Sequence, residues 1–263
     1  MNILEEIVLY KKSEVSKEKE LQTINDLEKS ALFGRSVFSL KQSLLDESKT
    51  GIIAEFKRKS PSKGVINGNA DVVKVTNAYT LHGASGLSVL TDENFFGGSN
   101  EDLIQARVNA IPLLRKDFII DEYQIVKAKS IGADVILLIA ACLTPAEVKR
   151  LAKFAKSLGL ETLLELHAEE ELAHVCDEVE LVGINNRDLK TFKVDIERSL
   201  RMAEQMPSDK VKVAESGIHS VDTILLFKEN GFHGFLIGEN FMKEPDPTIA
   251  FAEFVNQLKA KAV

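Results

Sequence analysis

The sequence predicts an α/β protein, a (β/α)8 barrel (TIM barrel) with an N-terminal helical extension. Three observations predict it. Eight short apolar runs recur from residue 52 onward, helical segments lie between them, and the first strand-to-helix turn is cationic and lacks a GxGxxG pattern. Eight strands that alternate with helices over about 210 residues match this barrel. The alternative, a doubly wound open sheet, usually has fewer strands and a glycine-rich first turn.

Residues 1–50 precede the repeat and form the predicted helical extension, packed on the barrel. Residues 51–263 form the predicted catalytic barrel, so that the chain is a single domain overall. Two sets of apolar residues lie on helical faces of the extension: Ile3, Leu4, Ile7 and Val8, and then Leu21, Ile24 and Leu27. Two roles are open for the extension, since it either plugs one end of the barrel or covers the mouth of an active site.

Each predicted strand is a short run rich in Val, Ile and Leu, as expected for strands buried on both faces. The runs are IIAEFK from residue 52, GLSVLT from 86, IPLLRK from 111, VILLIA from 135, ETLLEL from 161, LVGINN from 181, VKVAES from 211 and GFLIGE from 234.

The segments between these runs carry helix signals. Residues 121–131 are amphipathic and are followed by a glycine, which is typical of a helix C-terminus. Thr144, Pro145 and Glu147 match an N-cap, a first-turn proline and a capping-box acid. The helix that they begin is predicted to run to Gly159.

The 263 residues carry a net charge of −7, which argues against nucleic acid or an anionic membrane surface as a partner. An anionic ligand therefore needs a local cluster of cations. Cys142 and Cys176 have no CxxC spacing, which is typical of a reducing compartment. Residues 1–12 do not resemble a signal peptide, and the longest apolar run, residues 135–143, is too short to cross a bilayer. We expect a cytoplasmic protein without a membrane partner.

Charged and polar residues recur at the carboxyl ends of the predicted strands. Alternate residues of a strand share a face, which groups Ile53, Glu55 and Lys57; Leu114 and Lys116; Leu163, Glu165 and His167; Gly183, Asn185 and Arg187; and Val213 and Glu215. If these faces point inward, the mouth of the barrel is lined by Glu55, Lys57, Lys116, Glu165, Asn185 and Glu215. Active sites of this fold lie at that end.

A charge at a single strand end is often part of a structural ion pair. Charges at the ends of four different strands instead favour proton-transfer chemistry, because burial and neighbouring charges shift their pKa values toward neutrality. Gly217 and Gly238 follow the last two predicted strands. The loops after strands seven and eight commonly hold phosphate in this fold, so we predict a phosphate site there.

Five segments, AEFKRKSPSKG, LRKDFI, LLELH, GINNRDL and AESGI, follow one another in an order that resembles the indole-3-glycerol phosphate synthase family of tryptophan biosynthesis. The resemblance covers nearly all of residues 50–240, and the N-terminal helices match the extension that this family carries before its barrel. No second barrel is present in the sequence, so the resemblance is to the monofunctional form.

The resemblance implies a phosphorylated small-molecule substrate, 1-(2-carboxyphenylamino)-1-deoxyribulose 5-phosphate. It implies ring closure with loss of CO2 and water, without a metal or organic cofactor. By resemblance, Lys116 is the general acid, Glu165 is the catalytic glutamate, and Lys57 acts in substrate binding, dehydration or both. Glu55 orients the lysines, and Asn185 bonds to substrate hydroxyls or to an intermediate.

The remaining candidates are substrate-binding residues. Lys59 and Ser60 match the family's mobile first loop, and Phe96 and Phe118 are candidates to pack against the anthranilate ring. The predicted phosphate end comprises Arg187, Glu215, Ser216, Gly217, Gly238 and Glu239. Some family members have a small hydroxyl residue where this chain has Glu239. A carboxylate that faced the phosphate would be repelled by it. We therefore expect the Glu239 carboxylate to turn away from the phosphate and its backbone amide to remain available.

Three alternatives are less well supported. His167 and His174 flank a glutamate-rich turn, but their spacing matches no common metal motif, so we predict no metal. A phosphosugar isomerase such as phosphoribosylanthranilate isomerase would be expected to use a Cys/Asp pair, and no cysteine ends the first strand. A binding or scaffold protein would not need the charges at the mouth. We expect a monomer or a weak homodimer.

Overall fold

A computed structural model describes residues 3–188 and 193–261. Eight parallel strands form a closed barrel, which confirms the predicted fold class. The barrel strands are β1 (Ile52–Phe56), β4 (Gly86–Leu90), β5 (Leu113–Lys116), β6 (Val135–Ile139), β7 (Glu161–Leu166), β8 (Leu181–Asn185), β9 (Val211–Glu215) and β10 (Phe232–Ile237). The sheet closes because β1 pairs with both β4 and β10.

Every barrel strand falls on one of the predicted runs, and two of the strands begin at a different residue from the run. The third strand begins at Leu113, because Pro112 has no N–H to donate to a neighbouring strand. The last strand begins at Phe232, two residues before the predicted run, and its pairing with β9 shifts register between Phe232 and Gly234. Because the pairing is irregular here, the alternation of side chains along the strand does not predict that the strand begins at Phe232.

The first loop holds an element that the sequence did not predict. Strands β2 (Lys59–Ser60) and β3 (Gly64–Val65) form a small antiparallel hairpin directly after β1. Two-residue strands are too short to show a period. The hairpin places the cationic segment of the first loop beside the mouth of the barrel.

The helices alternate with the strands and surround them. They are α1 (Ile3–Leu21), α2 (Ile24–Glu28), α3 (Leu40–Leu45), α4 (Val72–Leu81), α5 (Asn100–Ala106), α6 (Glu122–Ser130), α7 (Pro145–Ser157), α8 (Ile196–Glu204), α9 (Val221–Glu229), α10 (Glu239–Met242) and α11 (Pro247–Lys261), with 3-10 helices at Ala140–Cys142 and Glu169–His174. Capping boxes at Asp121 and Thr144 begin α6 and α7, in agreement with the sequence signals. After β7, a 3-10 helix stands where the repeat predicts an α-helix.

The strands separate two apolar layers. One layer lies between the strands and the helices and includes Ile52, Ala54 and Leu164. The other fills the barrel interior and includes Ile53 and Leu163. The alternation predicted from the sequence is therefore confirmed, and the face that carries the mouth charges is the interior face.

Helix α3 closes the amino-terminal end of the barrel. Leu40 and Leu44 belong to the interior apolar layer. They occupy space that Gly86 and Gly234 leave open, since a Cβ at either glycine would lie within 3 Å of a leucine Cδ1. The carboxylate of Glu161 accepts the backbone N–H of Leu40 at 2.8 Å and so fixes the start of the helix.

Helix α1 covers the opposite end, where Ile3, Leu4 and Ile7 line the cavity at the mouth. The extension thus both plugs the barrel and covers its mouth. The predicted second apolar face is wrong in part, because Leu21 is 86% exposed and Ile24 is 45% exposed. The two residues belong to different helices, since α1 ends where a turn leads into α2.

Within the described residues, we find no helix with the length and apolar character needed to cross a lipid bilayer. Cys142 and Cys176 are free and partly buried.

Candidate active site

A single cavity at the carboxyl end of the barrel brings the predicted residues together. Its walls include the six predicted mouth residues: Glu55, Lys57, Lys116, Glu165, Asn185 and Glu215. They also include eight of the predicted binding residues: Ser60, Phe96, Phe118, Arg187, Ser216, Gly217, Gly238 and Glu239. Lys59 lies outside this lining, and its Nζ donates to the carbonyl oxygen of Asn94 at 3.3 Å.

The centre of the cavity is Lys116, at the end of β5. Its Nζ donates to Glu165 Oε2 at 2.6 Å and to Glu215 Oε2 at 2.8 Å. The register of β7, β8 and β9 sets these carboxylates side by side, since Glu165 pairs with Gly183 and Asn185 pairs with Glu215. One ammonium group is therefore shared by two buried carboxylates.

This arrangement separates the pKa values of the three groups. Burial lowers the pKa of Lys116, but the charges of Glu165 and Glu215 outweigh burial and raise it above its ordinary range. Burial raises the pKa of Glu165, yet the charge of Lys116 and the hydrogen bond from His167 hold it well below its ordinary range. Burial, and next the charge of Glu165, raise the pKa of Glu215. Glu165 is thus the ionised carboxylate, and Glu215 takes up a proton more readily.

Two glycines leave room for two carboxylates of the cavity, those of Glu215 and Glu55. A Cβ at Gly183 would lie 2.1 Å from Glu215 Oε1, and a Cβ at Gly238 would lie 2.6 Å from Glu55 Oε1. Gly183 has a sequence signal, since a glycine inside a strand often marks a close approach of another group. The side chain that approaches it cannot be identified from the sequence.

A second lysine–carboxylate pair lies at the end of β1. Lys57 Nζ is 2.8 Å from Glu55 Oε1. Ser88 of β4 is fully buried and donates to Glu55 Oε2 at 3.3 Å. Sequence analysis missed Ser88, although a serine on a buried strand is a signal for a hydrogen bond to a neighbouring polar group.

The loop after β9 has an unusual backbone conformation. Ser216 has a φ of 64° and Gly217 has a φ of 69°, so two successive residues lie in the left-handed region. Left-handed geometry is costly for a serine. Asn186 stabilises the loop, because its Nδ2 donates to the Ser216 carbonyl oxygen at 2.7 Å.

Gly238 lies between β10 and the four-residue helix α10, where it is the N-cap residue. The Glu239 carboxylate that follows is 3.5 Å from Arg187 Nη2 and 3.8 Å from Lys63 Nζ. Cations of the mouth and of the first loop therefore neutralise this carboxylate, an environment that the sequence did not indicate.

Aromatic side chains form one wall of the cavity. The ring centroids of Phe96 and Phe118 are 5.9 Å apart. The Asp92 carboxylate accepts the backbone N–H of Phe96 at 3.1 Å, which fixes the loop that carries this ring. Phe118 follows β5 by two residues and is buried in the interior layer.

Lys11 of α1 is a functional candidate that sequence analysis missed. Its Nζ lies 2.9 Å from Asp92 and 3.0 Å from Asp117, and the residue is 1% exposed. Asp92 follows β4 and Asp117 follows Lys116, so the ammonium joins the extension to two loops of the mouth. A lysine within a helix is ordinarily exposed, and only its partners reveal its role.

His167 and His174 occupy different environments. His167 lines the cavity, and its Nε2 is 2.8 Å from Glu165 Oε1. His174 makes ring hydrogen bonds with the backbone carbonyl oxygens of Glu171 and Leu143. Each ring nitrogen of His174 therefore has a backbone carbonyl oxygen as its partner.

The fold and the cavity together define a (β/α)8-barrel enzyme with an acid–base site at its carboxyl-terminal mouth. The family model for indole-3-glycerol phosphate synthase matches residues 4–254. The chain belongs to the indole-3-glycerol phosphate synthase family. It is therefore a carboxy-lyase of tryptophan biosynthesis, as the resemblance predicted, and the isomerase and scaffold alternatives are set aside.

Individual relatives agree with the family assignment. An indole-3-glycerol phosphate synthase of Bacteroides thetaiotaomicron is 46% identical, over 98% of this chain and 99% of that protein. One from Bordetella pertussis is 40% identical, over 97% of this chain and 99% of that protein.

Solved structures share the fold at much lower identity. Tryptophan synthase subunit alpha from Legionella pneumophila has a TM-score of 0.62 at 12% identity, over 86% of this chain and 98% of that chain. A thiamine phosphate pyrophosphorylase from Pyrococcus furiosus has a TM-score of 0.60 at 15% identity, over 84% and 98%. These similarities support the barrel fold alone.

Proposed function

We propose that this chain closes the indole ring of 1-(2-carboxyphenylamino)-1-deoxyribulose 5-phosphate and releases CO2 and water to give indole-3-glycerol phosphate. The observation that carries the proposal is the Lys116 ammonium, held between Glu165 and Glu215 inside the mouth of the barrel. Family membership supplies the substrate, and the cavity supplies an acid and a base in adjacent positions.

The first step needs an acid. The ring carbon that carries the carboxylate attacks the ketone carbon, and the carbonyl oxygen must receive a proton as the new C–C bond forms. We assign this proton to Lys116, since its ammonium lies in the cavity and stays charged at neutral pH. Glu215 is 2.8 Å from Lys116 Nζ and has a raised pKa, so it is placed to return a proton to the lysine.

The later steps need a base. Loss of CO2 restores the aromatic ring, after which the new hydroxyl group leaves as water and the methylene carbon beside the nitrogen loses a proton. We assign the removal of this proton to Glu165, the ionised carboxylate of the pair. Lys57 is a second ammonium of the cavity, and we assign to it the binding of anionic substrate groups and assistance to hydroxyl departure. Glu55 orients Lys57, and Asn185 is assigned to bonds with substrate hydroxyls.

The two ends of the substrate match opposite parts of the cavity. We assign the phosphate to the backbone of Ser216, Gly217 and Gly238, with Arg187 as a nearby cation. We assign the anthranilate ring to the wall formed by the aromatic pair Phe96 and Phe118. The assigned role of Lys59 in closing the first loop, the state of association as a monomer or weak homodimer, and the cytoplasmic location stay predictions.

Glu165→Gln tests the proposal. Purified wild-type protein, incubated with the substrate in EDTA, should produce indole absorbance and fluorescence. Glu165→Gln should lower kcat by about a hundredfold to ten-thousandfold, since an amide cannot accept the proton. Glu170→Gln makes the same change at an exposed glutamate and should leave kcat unchanged. A folded wild-type protein that forms no product would overturn the proposal.

Gly183→Ala tests the packing of Glu215. The added methyl group would displace the Glu215 carboxylate from Lys116, so kcat should fall by about tenfold to a hundredfold. Gly34→Ala is the matched control, because no atom lies within 4 Å of the position of its Cβ. Wild-type kcat in Gly183→Ala would show that the Glu215–Lys116 contact has no part in turnover.

A further inference from the structure

His167 is a buried imidazole that the mechanism above does not use. It follows the last residue of β7 and lies on the same side of the strand as Glu165. The residue is 7% exposed and belongs to the cavity wall. Its Nε2 is 2.8 Å from Glu165 Oε1, so this nitrogen carries the proton that it donates to the carboxylate.

The two oxygens of Glu165 have different partners. Oε2 accepts from Lys116 at 2.6 Å. Oε1 accepts from His167 at 2.8 Å and from Asn185 Nδ2 at 3.1 Å. When Lys116 turns to the substrate oxygen, Oε2 loses its donor and becomes free to take a proton. The bonds to Oε1 then keep the carboxylate in place.

Of the two residues that donate to Glu165 Oε1, Asn185 makes the weaker contact. Its contact is longer, and its Oδ1 accepts the backbone N–H of Arg187 at 3.0 Å, which ties Asn185 to the loop after β8. The position of His167 is fixed separately, because its backbone N–H donates to Glu171 Oε2 at 2.6 Å. Glu171 belongs to the 3-10 helix that follows β7. His167 is thus anchored on the strand that carries Glu165.

We propose that His167 is a positioning residue for the base, because it holds Glu165 by Oε1 while Lys116 leaves Oε2 for the substrate. The inference rests on the proposed function, since it concerns the removal of the methylene proton by Glu165. His167 needs no contact with the substrate in this role. What matters is an N–H donor at the position of Nε2.

The charge of the ring has a secondary effect. Burial lowers the pKa of His167, but the hydrogen bond and the charge of Glu165 outweigh burial and raise it, with smaller contributions from Glu171 and Glu215. Lys116 and Cys142 are further titratable groups that interact electrostatically with Glu165. Protonated His167 favours ionised Glu165 and makes it a weaker base, so proton removal should accelerate as pH rises through the pKa of His167.

The test compares His167→Leu with His167→Gln. Leucine removes the donor, and kcat should fall by about tenfold to a hundredfold, while KM changes by less than about threefold. Glutamine can place its Nε2 near the position of the histidine Nε2, so kcat should stay within about fivefold of wild type. In His167→Gln the acceleration through the pKa of the histidine should disappear.

A substrate deuterated at the methylene carbon separates positioning from a structural role. In His167→Leu the primary isotope effect on kcat should increase, because a displaced Glu165 makes removal of this proton the slow step. His174→Gln, a change to a histidine bonded to backbone carbonyls, should leave the isotope effect at the wild-type value. Thermal unfolding of each variant identifies any loss of folded protein.

Two outcomes would overturn the proposal. One is an isotope effect in His167→Leu that equals that of the wild-type protein, and the other is a His167→Gln variant that is as slow as His167→Leu. Turnover by the wild-type protein, measured in the same experiment, tests the proposed function independently. A failure of the positioning role is therefore distinguishable from a failure of the function.

Discussion

Lys116→Met should lower kcat by about a thousandfold or more while the barrel remains folded. Methionine is close to lysine in length and packs well in irregular space, but it can neither donate a proton nor stabilise the oxyanion of the ring-closure step. KM should change less than kcat, because the assigned phosphate and ring contacts lie elsewhere in the cavity. Steady-state kinetics with the indole signal measures both values.

The variant also has a predicted dependence of stability on pH. Burial and the charge of Glu165 already raise the pKa of Glu215, and without the Lys116 ammonium nothing between the two carboxylates offsets this, so the folded-state pKa of Glu215 rises further above its value in the unfolded chain. Stability from such groups is present at low pH and is lost as pH rises through the folded-state pKa. Lys116→Met should therefore unfold at a higher temperature at pH 6 than at pH 8, and the fold can be verified at the lower pH.

Lys153→Met is the matched control, since it makes the same change at an exposed lysine of α7. It should retain wild-type kinetics. If folded Lys116→Met kept kcat within tenfold of wild type, another group would have to supply the proton, and the assignment of the acid to Lys116 would be wrong.

The grouping of Lys116, Glu165 and Glu215 around one mouth could be predicted, although not their mutual contacts, even though the carboxylates lie 49 and 99 residues away from the lysine in the chain. Two regularities made this possible. Side chains alternate along a strand, and parallel strands of a barrel end at the same edge. Both depend on local sequence, so a pattern of short runs was enough to place distant charges around one mouth.

Other contacts have no local signal. Ile7, Lys11 and Val15 lie on one buried face of α1, and the lysine in the middle breaks the apolar pattern. The burial of this ammonium depends on Asp92 and Asp117, which come from two separate loops. A helical period describes one helix, and it does not show which charges another element will bring to that face.

The roles of the N-terminal extension could not be separated for the same reason. Leu40 and Leu44 of α3 fit against Gly86 and Gly234 at the base of the barrel. Ile7 of α1 reaches the mouth. Apolar residues in the two helices give similar patterns, and the side of the barrel that each helix contacts depends on space left by distant glycines.

Lys11→Met should destabilise the protein by roughly 3–5 kcal/mol at pH 7, because it leaves buried carboxylates without their shared cation. Lys11 is 1% exposed, and Asp92 is equally buried. Asp117 retains Arg115 at 3.0 Å, so Asp92 loses the larger part of its compensation. Urea unfolding of wild-type and variant protein gives the difference in the free energy of unfolding.

The pH dependence distinguishes loss of the ion pairs from loss of packing. Burial raises the pKa of Asp117, but the charges of Arg115 and Lys11 outweigh burial and hold it below its ordinary range. A carboxylate with a lowered pKa contributes stability that is present above its unfolded-state pKa and is lost as pH falls through the folded-state value. The pKa of Lys11 is raised, so its own contribution is constant below the pKa of an ordinary lysine. The difference between wild type and Lys11→Met should thus be largest at neutral pH and should shrink below about pH 4.

Lys12→Met is the neighbouring control, because Lys12 is exposed on the same helix. It should change the free energy of unfolding by less than about 0.5 kcal/mol. A difference for Lys11→Met that stays constant from pH 7 to pH 3 would indicate lost packing rather than lost ion pairs.

The ion-pair account also predicts an increase in KM at neutral pH. Asp92 Oδ1 accepts the backbone N–H of Phe96, and Asp92 Oδ2 pairs with the Lys11 ammonium. Removal of the ammonium therefore frees the loop that carries Phe96, and the aromatic wall assigned to the anthranilate ring loses its fixed position.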